Sequence, residues 1–208
     1  MAYTSEDTVS IESLVGPMML DCPIPIASQG ILWAAIEFCE RTRCWFNAQT
    51  RTVNAGTQHI ALTPDDDGLI MDVDSVRWDG DLLSPVTRQD ADQILVREPT
   101  GAPYAFYRPN PETLSLAPVA TSQGTLKLTM YLSPLRTATT LPRMLYDLYW
   151  DAIEPGALWR LMKVPNRPWS DPNQAVFHKQ EFERLVGSYS ARAGKDGTTQ
   201  PLRVTPDF

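Results

Sequence analysis

The sequence predicts an α+β protein: a helical bundle of one N-terminal and two C-terminal helices, an inserted, mostly antiparallel β domain, and an extended C-terminal arm. Three observations carry that prediction. Apolar residues recur at helical three- and four-residue spacing over 28–44 and again over 141–189. Between them, over 46–135, the period drops to two in short β-rich segments separated by Gly, Pro, Asp and Asn. The last stretch, SARAGKDGTTQPLRVTPDF, has no helical stripe. The expected boundaries are 1–45 with 136–190 for the bundle, 46–135 for the β domain and 191–208 for the arm.

Along the chain, Ile11, Leu14 and Val15 before Gly16-Pro17 predict one or two helical turns, followed by an extended MMLDCPIPI segment. The helix over 28–44 places Ile31, Leu32, Ala35, Phe38, Cys39 and Thr42 on one face and Gln29, Glu37, Glu40 and Arg41 on the other. Glu37 and Arg41 form a favourable i,i+4 pair. Trp33 falls on the polar face. A large aromatic there is either covered by another part of the chain or meets a neighbouring molecule, so Trp33 and Glu37 are a candidate subunit interface.

In the β domain, TQHIAL, LIMDVDSVRW, DLLSPV, PYAFYRP, TLSLAP and TLKLTMYLSP read as strands. Trp78-Asp79-Gly80-Asp81 is a hairpin turn signal, because Asp-Gly accepts positive φ. Leu126, Leu128, Met130 and Leu132 alternate with Lys127, Thr129 and Tyr131, which gives a strand with one buried face. TRQDADQIL reads as a short helix or turn.

The first C-terminal helix puts Leu145, Leu148, Tyr149, Ala152, Ile153, Gly156 and Trp159 on one arc, then shifts to Ala157, Leu158, Leu161 and Met162. Thr139 and Thr140 offer cap hydroxyls, Pro142 suits the first turn, and Pro155-Gly156 predicts a kink. Next, Asp171 reads as an N-cap with Pro172 at the first position and Gln174 reaching back. The following helix buries Ala175, Phe182, Leu185, Val186 and Tyr189 on one side. In the arm, alternating Leu202 and Val204 and the aromatic Phe208 suit a segment that orders on a partner better than a solvated tail.

The totals narrow the function. A net charge of -7 argues against gripping nucleic acid, which needs clustered Lys and Arg, but not against enclosing it. No apolar run approaches the roughly 18 residues of a membrane span. The acidic, polar N-terminus is unlike a secretory signal, so a cytoplasmic product with no membrane partner is expected. Cys22, Cys39 and Cys44 contain no CxxC pair and read as reduced, buried thiols, with Cys39 on the buried arc and Cys44 on a more polar side.

No phosphate loop, dinucleotide fingerprint, HExxH or GxSxG is present. Asp65-Asp66-Asp67-Gly68, with Asp72 and Asp74, could hold a divalent cation in a carboxylate-dependent nuclease. TPDDDG between two strands reads more simply as a turn. No catalytic residue, cofactor or metal is therefore expected. Asp147, Asp151 and Glu154 form an acidic row at i, i+4 and i+7: a solvated helix face, or a wall past which DNA slides without sticking.

Four blocks then carry a resemblance. AAIEFCERTRCW, HIAL, VDSVRWDGDLL and LPRMLYDLYWDAIEPGALWRLMKVPNRPWSDPNQAVFHKQEF resemble the bacteriophage head-to-tail adaptor (connector) proteins. The last block carries Ala152, Ile153, Gly156, Ala157, Leu158, Arg160, Leu161, Met162, Pro165, Pro168, Trp169, Pro172 and Ala175 in that family's order, and the likeness runs over 10–189. Pro155 departs from it, since a plain helix former is expected there.

The resemblance implies a structural virion protein and not an enzyme. Such proteins form a ring of about twelve copies through heterologous contacts, between the portal and a downstream tail or nozzle protein. DNA would pass through without sequence-specific binding, during genome packaging and ejection. The expected location is the head–tail interface of the virion, after assembly in the host cytoplasm. On this reading Pro201, Leu202, Arg203, Val204 and Phe208 are the candidate portal-docking arm, and Asp147, Asp151 and Glu154 the candidate lumen row. A ring or tube component further down the tail is the alternative.

Overall fold

The chain divides into two compact units, one made of Met1–Trp45 with Ser133–Phe208 and the other of Phe46–Leu132. The computed structural model describes residues 7–16, 21–64 and 68–193. Its elements run β1 (Thr8–Ser10), α1 (Ile11–Val15), α2 (Ile24–Thr42), β2 (Phe46–Val53), β3 (His59–Ala61), β4 (Gly68–Trp78), β5 (Asp81–Leu82) and β6 (Ser84–Pro85). After α3 (Arg88–Arg97) come β7 (Thr100–Gly101), β8 (Ala105–Asn110), β9 (Thr113–Ala117), β10 (Val119–Ala120), β11 (Gly124–Pro134) and β12 (Thr140–Pro142). The chain then forms α4 (Arg143–Met162) and α5 (Pro172–Ala193). The fold is α+β, as expected.

In the first unit α2 begins four residues before its expected start, because Pro23 and Pro25 fit the N-cap and first turn, where no amide partner is needed. The segment expected to be extended is thus partly helix; residues 17–20 lie outside the described set. The buried side of α2 includes all six expected residues and adds Ala27, Gly30 and Ala34. The helix ends at Arg43, whose φ of 53° is left-handed and whose N–H returns to the Cys39 carbonyl at 2.9 Å. Cys44, expected on a polar side, is 9% exposed.

The start of α4 also differs. Neither Thr139 nor Thr140 caps it; Pro142 stands at the N-cap with no side-chain bond. Residues 140–142 instead form β12, pairing antiparallel with β1 at Val9↔Leu141. The cap hydroxyls were thus spent on a strand that depends on a partner far away in sequence.

The Pro155-Gly156 step does not divide α4, which is one helix from Arg143 to Met162. Pro155 removes one backbone donor. Gly156 explains the pair better as a close approach: a Cβ there would lie 2.8 Å from the Phe182 ring and 3.1 Å from the Ala34 Cβ. Its bare Cα lets α2, α4 and α5 converge. Accordingly α4 packs on α5 and on α2 more extensively than any other helix pair. On α5, Asp171 Oδ1 accepts from the Asn173 and Gln174 amides at 3.1 and 3.0 Å, as expected of a cap. Ala175, Phe182 and Val186 are buried, and Leu185 and Tyr189 are half-buried.

The second unit holds two four-stranded sheets, ordered β2-β11-β4-β5 and β3-β9-β8-β6. Most pairs are antiparallel, whereas β6 with β8 and β10 with β7 are parallel. The predicted alternation of β11 is present: Leu126, Leu128, Met130 and Leu132 are each 2% exposed or less. The Asp-Gly turn joins β4 to β5 with φ of 50° at Asp79 and 101° at Gly80. Thr87 caps α3, its Oγ1 accepting from the Asp90 amide at 3.2 Å. The sequence reading missed β2. Of FNAQTRTV only Gln49 and Val53 are buried, because backbone pairing with β11, from Phe46↔Tyr131 to Val53↔Gly124, holds this edge strand.

Candidate assembly interface

A charged clasp ties the three long helices of the first unit together. The Arg160 side chain, 10% exposed, donates to Glu37 Oε2 and to the Gly156 carbonyl. Arg41 donates to Glu37 Oε1 at 3.1 Å and to both Glu183 oxygens at 3.0 and 2.5 Å. Phe182 lies beneath both cations, with its ring centre 5.5 Å from the Arg160 guanidinium and 5.9 Å from that of Arg41. The Arg160 guanidinium also covers Trp159 at 4.6 Å. Charge and burial act in opposite directions here. Hydrogen bonding to Glu183 raises the Arg41 pKa and hydrogen bonding to Arg41 lowers that of Glu183, whereas burial lowers that of Arg160 against the pull of Glu37.

The two candidate interface residues therefore have different surroundings. Glu37 is held inside the protomer by Arg41 and Arg160. Trp33, one turn earlier on α2, is 53% exposed. Other exposed apolar side chains in this unit are Ile24, Ile26, Val176, Phe177, Tyr146 and Leu148. Leu148 was expected on the buried arc of α4. That arc was drawn too wide, and the buried side follows Leu145, Ala152, Ile153 and Gly156. Val176 and Phe177 went unnoticed, although they fall off the Ala175–Phe182–Val186 stripe and a helical wheel would have flagged them.

On α4, Asp147 and Asp151 are exposed and Glu154 is half-buried, so the row faces outward over its first two members. Asp147 pairs with Arg143 at 3.4 Å. Asp151 accepts from the Tyr189 hydroxyl at 3.0 and 2.9 Å. Tyr189 stands edge-on to Tyr149 and Phe38, with ring centres 5.1 and 5.7 Å apart.

Burial and then Asp151 push the Tyr189 pKa up to about 12 from the ordinary 10.0. The folded protein thus holds this proton more tightly than the unfolded chain does. That contribution to stability is fully present below pH 10 and is lost as pH rises through about 12. Tyr189→Phe is expected to lose less melting temperature than the wild type between those pH values; equal losses in paired thermal melts would refute the assignment.

The remaining polar candidates are in the second unit. Residues 65–67 lie outside the described set. Asp72 Oδ1 accepts from the Val73 amide and lies 3.9 Å from Arg108, and Asp74 accepts from the Tyr131 hydroxyl at 3.0 Å. Among the described residues, no group of three or more His, Cys, Asp and Glu side chains could hold a metal ion. His59 Nδ1 lies 2.7 Å from the hydroxyl of Ser115, its partner across β3 and β9, which is fully buried. No helix among the described residues is long and apolar enough to cross a membrane.

Over residues 22–205 the sequence matches the family model described as SU10 adaptor protein, a span that takes in nearly all of both units. The chain belongs to that family. No curated protein matches it. The adaptor is accordingly a structural bacteriophage protein of the virion, built to contact other capsid or tail proteins. The match includes Pro201, Leu202, Arg203 and Val204 of the candidate arm and stops before Phe208; all five lie outside the described residues.

Proposed function

We propose that this adaptor forms a closed ring at the junction of head and tail, seated on the portal and followed by a downstream tail or nozzle protein. The observation that carries the proposal is the family match across residues 22–205. The helical unit suits the task. Its clasp fixes α2 against α4 and α5, so Trp33 is presented on a rigid face. A closed ring of about twelve copies needs the same two patches on every subunit, and an exposed aromatic on a braced helix makes an effective anchor for one of them.

Residues 1–45 with 136–190 serve as the ring frame, 46–135 as the insertion and 191–208 as the docking arm. DNA passes through the opening without sequence-specific contact. The net charge of -7 and the outward carboxylates of Asp147 and Asp151, with Glu154, support a wall that repels the phosphate backbone. The protein acts in the virion, at the head–tail interface, after assembly in the host cytoplasm, and it has no catalytic role.

Negative-stain microscopy of the adaptor mixed with its cognate portal is expected to show rings stacked on the portal with a DNA-wide opening. Free monomers alone would overturn the proposal. Cross-links to tail proteins and never to the portal would move the ring further down the tail. Truncation after Ala193 is expected to leave the melting temperature unchanged and to abolish co-sedimentation with the portal; undiminished docking would show that the arm plays no part.

A further inference from the structure

The C-terminal end of α2 brings two of the three thiols together. Arg43 turns the chain through the left-handed region at φ 53°, and its N–H closes on the Cys39 carbonyl at 2.9 Å. Such a cap folds the residues after the turn back onto the last helical turn. Cys39 and Cys44, 2% and 9% exposed, are both free thiols, and they hydrogen-bond each other. Cys22 precedes the other end of α2, with its thiol on the Pro23 carbonyl at 3.8 Å. Contact between sulfurs is the first requirement for joining them.

We propose that Cys39 and Cys44 form a latent disulfide, an oxidation site that closes covalently across the C-cap of α2 when the reduced protein meets a small disulfide oxidant. The reaction is thiol–disulfide exchange. The Cys44 thiolate attacks one sulfur of the oxidant, whose S–S bond breaks and whose other half leaves as a thiolate. Cys39 then gives up its proton and attacks Cys44 Sγ, and the second half of the oxidant leaves. Two protein thiols become one disulfide, the oxidant is reduced to two thiols, and the two protons end on the departing thiolates.

The order of attack follows from the surroundings of the two sulfurs. The bond from Cys39 holds the Cys44 thiol below the usual cysteine value, which favours its thiolate, whereas the same bond and burial hold Cys39 well above it. The site needs no second copy, so it is independent of the ring.

The test uses full-length reduced protein and oxidised glutathione, followed by alkylation under denaturing conditions and tryptic mass spectrometry. Cleavage after Arg41 and Arg43 separates the two cysteines, so the product is a cross-link between the peptide ending in Cys39-Glu40-Arg41 and the peptide 44–51. Its mass is expected to be two hydrogens below the sum of its parts, with Cys22 alkylated. Cys39→Ser is expected to stop at a glutathione adduct on Cys44, and Cys44→Ser to give neither product. A stable glutathione adduct on wild-type Cys44, a cross-link to Cys22, or three alkylated cysteines after oxidation would each overturn the proposal.

Discussion

Phe182→Ala is expected to lower the stability of the helical unit by about 3–5 kcal/mol. Phe182 is fully buried where α2, α4 and α5 meet, and its ring fills the space that the missing Gly156 side chain leaves open. Removing the ring opens a cavity among rigid helices and takes the aromatic face away from Arg160 and Arg41. Domains have only about 5–15 kcal/mol of net stability, so a large share of the total is at stake. Because the chain has two compact units, denaturant titrations need one probe in each. The transition of the helical unit is expected to move to much lower denaturant while that of the β unit stays in place. A loss below about 1 kcal/mol would show that the helices do not depend on this ring.

Trp33→Ala is expected to do the reverse, abolishing assembly while leaving monomer stability within about 0.5 kcal/mol. The indole is 53% exposed, so its removal opens no core cavity, and alanine is the better helix former. At an interface a buried tryptophan anchor is worth about 2 kcal/mol or more. That weakens each contact roughly 30-fold. A closed ring repeats the loss at every junction. Mass photometry with and without the portal, beside a thermal melt, separates the two outcomes. Unchanged rings would clear Trp33 of any role in assembly, and a large fall in melting temperature would make it a core residue.

How much could be read from the sequence depended on how local each cause is. The Asp171 cap, the Asp79-Gly80 turn and the alternation of Leu126 to Leu132 act within a few residues, and each is present in the structure. Elements defined by a distant partner were not legible. Thr140 became part of a strand because of Val9 and its neighbours, and β2 exists because β11 lies beside it. Within the candidate interface, the Glu37–Arg41 pair was readable from its spacing. Nothing in the sequence indicated that Arg160 and Glu183 would converge on the same two side chains. Pro155-Gly156 suggested a bend from local rules, while its role in packing depends on Phe182 from another helix.

The first and last residues paired between β2 and β11, Phe46 and Tyr131, lie side by side in one ladder. The chain therefore enters and leaves the insertion at a single doorway, which matters during synthesis. The ribosome releases α2 first, and α2 then waits for partners encoded beyond the whole insertion. Once 46–132 has folded, the long tether between α2 and α4 behaves as a tight turn, and most of its loop-closure entropy has already been met. Folding of the insertion would then act as the clock that tells the helical frame when to close.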